Sequence, residues 1–177
     1  GFMFAKSVWH YARGVAYAAE GEGDLAKDEL DALVPLQDDV SVRFLDSRDY
    51  PGSLLVGIAI ELLRGEIAYR RGSYPQAITH FSAAVEQQDS LPYTEPPFWY
   101  YPTRQSLGAA MMASGEAQGA EAIFRRDLEL YPHNGWSMFG LMQSLRAQDK
   151  NDQADEVQVH FEKAWQFADV KLTAAVL

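Results

Sequence analysis

The stretch LGAAMMASGEAQGAEAIFRRDLELYP, running from Leu107 to Pro132, decides the fold. It holds two apolar helical patterns separated at Ser114, Gly115 and Glu116. In the second pattern Ala120, Phe124 and Leu128 recur every fourth residue and share one stripe of a helix. In the first, Gly108 leaves a bare patch of backbone where a large residue of a neighbouring helix fits. Gly115 suits the left-handed residue that ends a helix, so the two halves read as one helical hairpin.

Outward from this hairpin the same arrangement returns. Upstream it reads Gly65, Gly72, Tyr74, Ala77, Phe81 and Ala84, and before that Gly14, Tyr17, Gly21, Ala26 and Leu30. Downstream a weaker copy has Leu141, Leu145, Ala154 and Phe161, with Gln158 where an aromatic is expected. Ala120 and Ala154 stand 34 residues apart; the intervals from Ala77 to Ala120 and from Ala26 to Ala77 are 43 and 51. The longer intervals place insertions near 35–52 and 91–100. The spacing predicts helices over 3–20, 24–34, 53–71, 74–89, 99–114, 117–130, 135–148 and 151–167, with Pro75 in a first turn and Asp49 or Ser53 capping the helix at 53. The first insertion is expected to be a loop with at most a short extra turn. No run alternates like a strand. An ordinary helical bundle competes with this reading, and matching internal offsets in several units argue against it.

With 25 Asp plus Glu against 15 Lys plus Arg, the chain carries a formal charge of −10, which disfavours nucleic acid and anionic lipid as partners. Cysteine is absent, which removes disulfides and thiolate metal sites and leaves the compartment open. Even Leu54 to Leu63 is interrupted by Glu61 and followed by Arg64, so no segment is expected to insert in a membrane. At 177 residues one domain, 1–177, is the expectation. Gly1 reads as a cloning remnant and the whole as part of a longer chain.

These residues resemble the tetratricopeptide repeat (TPR) family, whose pattern L-G-x2-Y, G, A-x3-F, P is matched from Leu107 to Pro132 with Met111 in place of Tyr. The likeness is strongest over 57–150, with repeat units near 7–40, 58–91, 101–134 and 135–168. The segment from Tyr93 to Pro102 followed by Arg104 to Gly108 is similar to the C-terminal repeats of larger bacterial TPR proteins of unassigned function. The resemblance implies an all-α fold, a right-handed superhelix of about four antiparallel helical hairpins (an α-solenoid). It also implies a scaffold for protein binding. Several such proteins carry export signals, which leans toward the periplasm or cell envelope over the cytoplasm.

In that family the first helices of the hairpins line a groove. Carried over, the groove positions include Val8, Tyr11, Val15 and Ala18; Ala59, Leu62, Glu66 and Tyr69; Pro102, Gln105, Ala109 and Met112; and Trp136, Phe139, Gln143 and Arg146. The resemblance implies that Tyr11, Leu62, Glu66, Tyr69, Gln105, Met112, Trp136, Phe139, Gln143 and Arg146 meet a peptide or protein segment. The competing reading is that neighbouring helices cover this face. A second candidate surface is the aromatic insertion carrying Tyr93, Phe98, Trp99, Tyr100 and Tyr101, since aromatic residues are enriched at binding hot spots. More often such a cluster is a structural cap that pins a long connection, and that reading is preferred here.

A catalytic constellation is not expected. His10, His80, His133 and His160 are scattered outside any metal-ligand spacing, and each reads as a surface residue. Nucleophile elbows and phosphate loops are missing from the sequence, and Glu20 to Asp24 reads as a hairpin corner rather than a calcium loop. Arg70-Arg71 and Arg125-Arg126 read as solvated helix faces, with Arg125 or Arg126 open to a partner's carboxylate. The chain is therefore expected to need no cofactor or metal and to act as an interaction module. The alternatives are a non-catalytic positioning or regulatory part of a larger enzyme, and self-association through Phe2, Phe4, Val8 and the apolar tail from Val170 to Leu177. Partner identity and oligomeric state are not encoded legibly.

Overall fold

The computed structural model describes residues 2–175; Gly1, Val176 and Leu177 lie outside the described residues. Nine α-helices and one 3-10 turn make up the regular structure, with no strand among the described residues. Two compact units divide at Thr103 and Arg104.

The first unit contains α1 (Phe2–Ala19), α2 (Gly23–Leu33), a 3-10 turn (Val34–Asp38), α3 (Val40–Asp46), α4 (Gly52–Arg70) and α5 (Tyr74–Asp89). Helices α1 and α2 pair as a hairpin, α4 and α5 as another, and α4 packs on both α1 and α2. The second unit contains α6 (Arg104–Ser114), α7 (Ala117–Leu130), α8 (Gly135–Arg146) and α9 (Asn151–Ala164). Here α6 pairs with α7 and α8 with α9, while α8 also packs on α6 and α7.

All four hairpin corners have one construction. Gly21, Gly72 and Gly115 turn at φ 84°, 74° and 83°, and Asp149 holds the corresponding place at φ 58°. At each corner the next residue's N–H reaches back across the helix end: Glu22 to Tyr17 O (2.8 Å), Ser73 to Ala68 O (2.9 Å), Glu116 to Met111 O (2.9 Å) and Lys150 to Leu145 O (3.0 Å). This satisfies carbonyls that a helix end otherwise leaves bare.

The cores follow the small-against-large rule read from the sequence. A Cβ at Gly65 would run into the Phe81 ring, and a Cβ at Gly108 or at Gly140 would run into the Phe124 ring. Phe81 and Phe124 are 2% and 0% exposed. In the first hairpin Gly14 meets Leu63 of α4 instead, at 2.5 Å from a would-be Cβ.

Three local expectations are corrected. The first insertion is not mainly loop: it folds into the 3-10 turn and α3, whose first turn is capped by Asp39 accepting from the Ser41 amide at 2.8 Å. Neither Asp49 nor Ser53 caps α4; Asp46 does, accepting the Ser53 amide at 3.0 Å. The helix expected from 99 begins at Arg104, because Pro102 disfavours helical backbone at the residue before it.

Candidate functional site

In the first unit, Tyr11, one of the α1 positions assigned to a groove, meets the aromatic insertion, and Val8 and Ala59 line a cavity with it. Trp99 packs edge-on against Tyr11 with centroids 5.6 Å apart, and the Tyr11 and Tyr100 hydroxyls lie 3.3 Å from each other. Phe98 stacks edge-on against Tyr50, which in turn meets Phe4, each at 5.4 Å. Gln88 of α5 holds the end of the insertion: its Nε2 donates to Tyr101 O (3.0 Å), and its Oε1 accepts from both the amide and the hydroxyl of Thr103 (2.8 Å each). Burial, and then the neighbouring phenols of Tyr101 and Tyr100, push the Tyr11 hydroxyl well above the ordinary tyrosine range. What remains of the face is a cavity of about 220 Å³ lined by Val8, Tyr11, Tyr50, Ala59, Phe98 and Trp99.

The proposed groove residues of this unit divide accordingly. Tyr11 and Leu62 are buried. Glu66 and Tyr69, at the C-terminal end of α4, are half-buried. Glu66 accepts from Arg70 Nε at 2.6 Å, and Tyr69 lies against Tyr74 at 5.7 Å. In the insertion, Trp99 is buried, Tyr101 half-buried, and Tyr93 and Tyr100 are exposed.

In the second unit an irregular segment joins the apolar cluster that holds the first-helix position Phe139. Helix α9 ends at Ala164 and residues 168–175 have no regular structure, yet Ala175 is 5% exposed. Ala175 belongs to the apolar cluster of Phe139, Met142 and Leu145, against which Met112 and Leu172 also pack. Trp165 fixes the bend by donating its indole N–H to Val170 O at 2.8 Å. Its ring stacks on Phe161 (5.7 Å), stands edge-on to Trp136 (5.7 Å) and leaves no room for a Cβ at Gly135. Phe161 adjoins Phe139 at 5.8 Å.

Of the remaining groove positions here, Gln105 and Phe139 are buried, while Met112, Trp136 and Gln143 are half-buried. Arg146 is exposed, donates to Gln158 and lies 3.7 Å from Asp155.

His10, His80 and the paired arginines singled out in the sequence are bonded within the chain. His10 is not a surface residue: it is 8% exposed, its Nδ1 lies 2.6 Å from Glu29, and Arg13 reaches the same carboxylate at 3.2 Å. His80 pairs with Glu61 at 2.7 Å. His10 and Glu61 both stand four residues before a helix glycine, Gly14 and Gly65, and Glu29 and His80 both stand three after a hairpin alanine, Ala26 and Ala77. The two hairpins thus share one cross-link with its members exchanged. Arg125 donates to Glu121 (2.9 Å) and Gln153 (3.0 Å), Arg126 to Glu129 (2.5 Å), and Arg71 to Gly23 O (3.2 Å).

Glu121 is the most strongly tuned carboxylate. A bond from Lys150 Nζ (2.6 Å), with others from Arg125 and from Gln148 (2.8 Å), lowers it to about 2. Asp127, 0% exposed, is raised by burial against the opposing pull of Ser137, Arg104 and Asn134. Both carboxylates brace the junctions around α7.

Among the described residues no group of three or more His, Cys, Asp or Glu is gathered as metal ligands would be, and no helix is long and apolar enough to cross a membrane. Sequence reasoning passed over Gln88 and Trp165, and it assigned the apolar tail to self-association, whereas Leu172 and Ala175 pack within the second unit's own cluster. The Gln88 anchor has no local pattern. No family model, curated protein or solved structure matches the chain.

Proposed function

We propose that the chain is a tetratricopeptide-type scaffold, an α-solenoid of four hairpins, that holds extended polypeptide against the first helices of those hairpins and performs no chemistry of its own. The observation that carries this reading is the occupancy of those helices. In the first unit the aromatic insertion packs on Tyr11 of α1, and in the second Leu172 and Ala175 belong to the apolar cluster that holds Phe139 and Met142 of α8. A face that orders non-helical polypeptide within the chain has the surface chemistry to order it from outside. The common corner construction, and the glycine-against-phenylalanine contacts at Gly65 and Gly108, support the repeat assignment. Glu66, Tyr69, Gln143 and Arg146 are the groove positions left accessible enough to add polar selectivity.

Peptide display on the immobilised protein tests the proposal. Selection is expected to enrich a common motif that Tyr69→Ala or Arg146→Glu releases, with both variants retaining the native circular dichroism spectrum. Absence of any enriched motif, or enrichment unchanged in both variants, refutes it.

A second reading, self-association, is favoured by one observation. Phe2, Val8 and Trp9 on α1 are 79%, 48% and 50% exposed, an apolar concentration that invites a second copy. Light scattering that gives the monomer mass at every concentration discards it.

A further inference from the structure

We propose that residues 170–175 act as an internal ligand of the second unit, and that the partner accepted there is a non-helical peptide of the same chemistry. That chemistry is a main-chain carbonyl received by Trp165, a large aliphatic residue two positions later, and a small residue three positions after that. The proposal rests on the scaffold reading and names the partner class of its second unit.

The pattern is read from Val170, Leu172 and Ala175. Val170 O accepts from the Trp165 indole at 2.8 Å, and Leu172 and Ala175 join the cluster containing Phe139 and Met142. Of the residues between them, Lys171 and Thr173 are exposed and Ala174 is half-buried. The chain bends over 173–175, which brings Leu172 and Ala175 to the same apolar cluster.

The segment is also built to leave. It has no regular secondary structure, its first side chain, Val170, is 49% exposed, and Phe167 before it is 93% exposed. One leucine, one alanine and one hydrogen bond oppose the ordering cost of several residues, so closed and open forms lie close in free energy. Tethering compensates, because a covalently linked segment is present at an effective concentration near the millimolar range. A competing peptide replaces it when its own affinity or concentration overcomes that advantage. The tail then sets an affinity threshold, rejecting weak ligands and yielding to strong ones.

The test uses a fluorescein-labelled synthetic peptide of residues 166–175, titrated by fluorescence anisotropy into the full chain and into a Leu172→Asp/Ala175→Asp variant. The variant, whose own tail no longer fits, is expected to bind the peptide saturably and at least tenfold more tightly than the wild type. The same peptide carrying Leu172→Asp is expected not to bind. Equal binding to both proteins, or none to a variant with a native circular dichroism spectrum, overturns the inference. Hydrogen exchange on the unmodified chain provides a readout that needs no variant: amides of 170–175 are expected to exchange at least a hundredfold faster than those of α8, and equal rates overturn the inference. Peptide display on the variant separates the two proposals. Enriched motifs lacking the aliphatic-x-x-small pattern retain the scaffold and overturn the inference. No enrichment while the tail peptide binds overturns the scaffold.

Discussion

Gly108→Ala and Gly119→Ala, the same substitution in paired helices, are expected to move stability in opposite directions. Alanine outperforms glycine inside a helix by about 1 kcal/mol, and by about half that in a first turn such as that of α7. At position 119 the new Cβ meets Met111 Sδ at 3.3 Å and Cε at 3.8 Å. Those atoms end a flexible thioether that rotates aside, so a gain of about 0.5 kcal/mol survives. At position 108 the Cβ enters the ring of Phe124, which is 0% exposed. The ring has nowhere to retreat, because Gly140 of α8 touches it from the next helix. Overpacking costs about 1–3 kcal/mol, and a ring confined on both sides belongs at the upper end. Net of the propensity gain, Gly108→Ala is expected to lose about 2 kcal/mol. Urea unfolding followed by far-ultraviolet circular dichroism measures both variants against wild type. Adding Phe124→Leu to Gly108→Ala is expected to cost less than the two single losses combined, since the contact is shared. A Gly108→Ala protein as stable as wild type refutes the close-packing argument and, with it, the reason for glycine in the repeat.

Further outcomes follow from other sites. Asp149→Gly, which relieves the left-handed backbone of the fourth corner, is expected to raise stability by about 0.5–1 kcal/mol in thermal unfolding, whereas Gly72→Ala, strained at φ 74°, is expected to lower it by a similar amount. Glu121 is held near 2 against an ordinary 4.5, so its contribution is present above about pH 4.5 and lost as pH falls through 2. Allowing for the partial exposure of Lys150 and Arg125, the loss is about 1–2 kcal/mol between those limits, measured by urea unfolding at stepped pH and absent in Glu121→Gln. Gln88→Ala removes three hydrogen bonds from the aromatic insertion and is expected to cost about 1–3 kcal/mol and to hasten proteolysis between residues 92 and 101; unchanged cleavage there contradicts its anchoring role.

Helices with a strong periodic pattern were legible almost to the residue: α5 and α7 occupy the expected ranges, and α1, α2 and α4 differ by a residue or so at each end. Their corners were legible because glycine at a positive φ leaves a direct mark. Helix α3 was not, since Val40 to Asp46 is only seven residues long and lies among aspartates that also favour turns. The start of α6 was misread because the aromatic residues 98–101 extend its apolar pattern, while Pro102 breaks the helix. At the candidate site, the aromatic insertion was legible as a cap on a long connection, but the residues it packs against were not. The contact of Tyr11 with Trp99 and the entry of Ala175 into Phe139's cluster join residues far apart in the chain that share no period. The His10–Glu29 tie escaped for the same reason, although its mirrored counterpart at Glu61 and His80 makes it recognisable once the hairpins are aligned.

The central claim is that the first helices of the hairpins receive extended polypeptide. Amide chemical-shift mapping, with the most enriched display peptide added to isotopically labelled protein, tests it most directly. The account predicts shifts at Glu66 and Tyr69 on α4, or at Gln143 and Arg146 on α8, with release of the segment lying beside the affected helix. Shifts confined to the exposed faces of α5, α7 and α9 would contradict it.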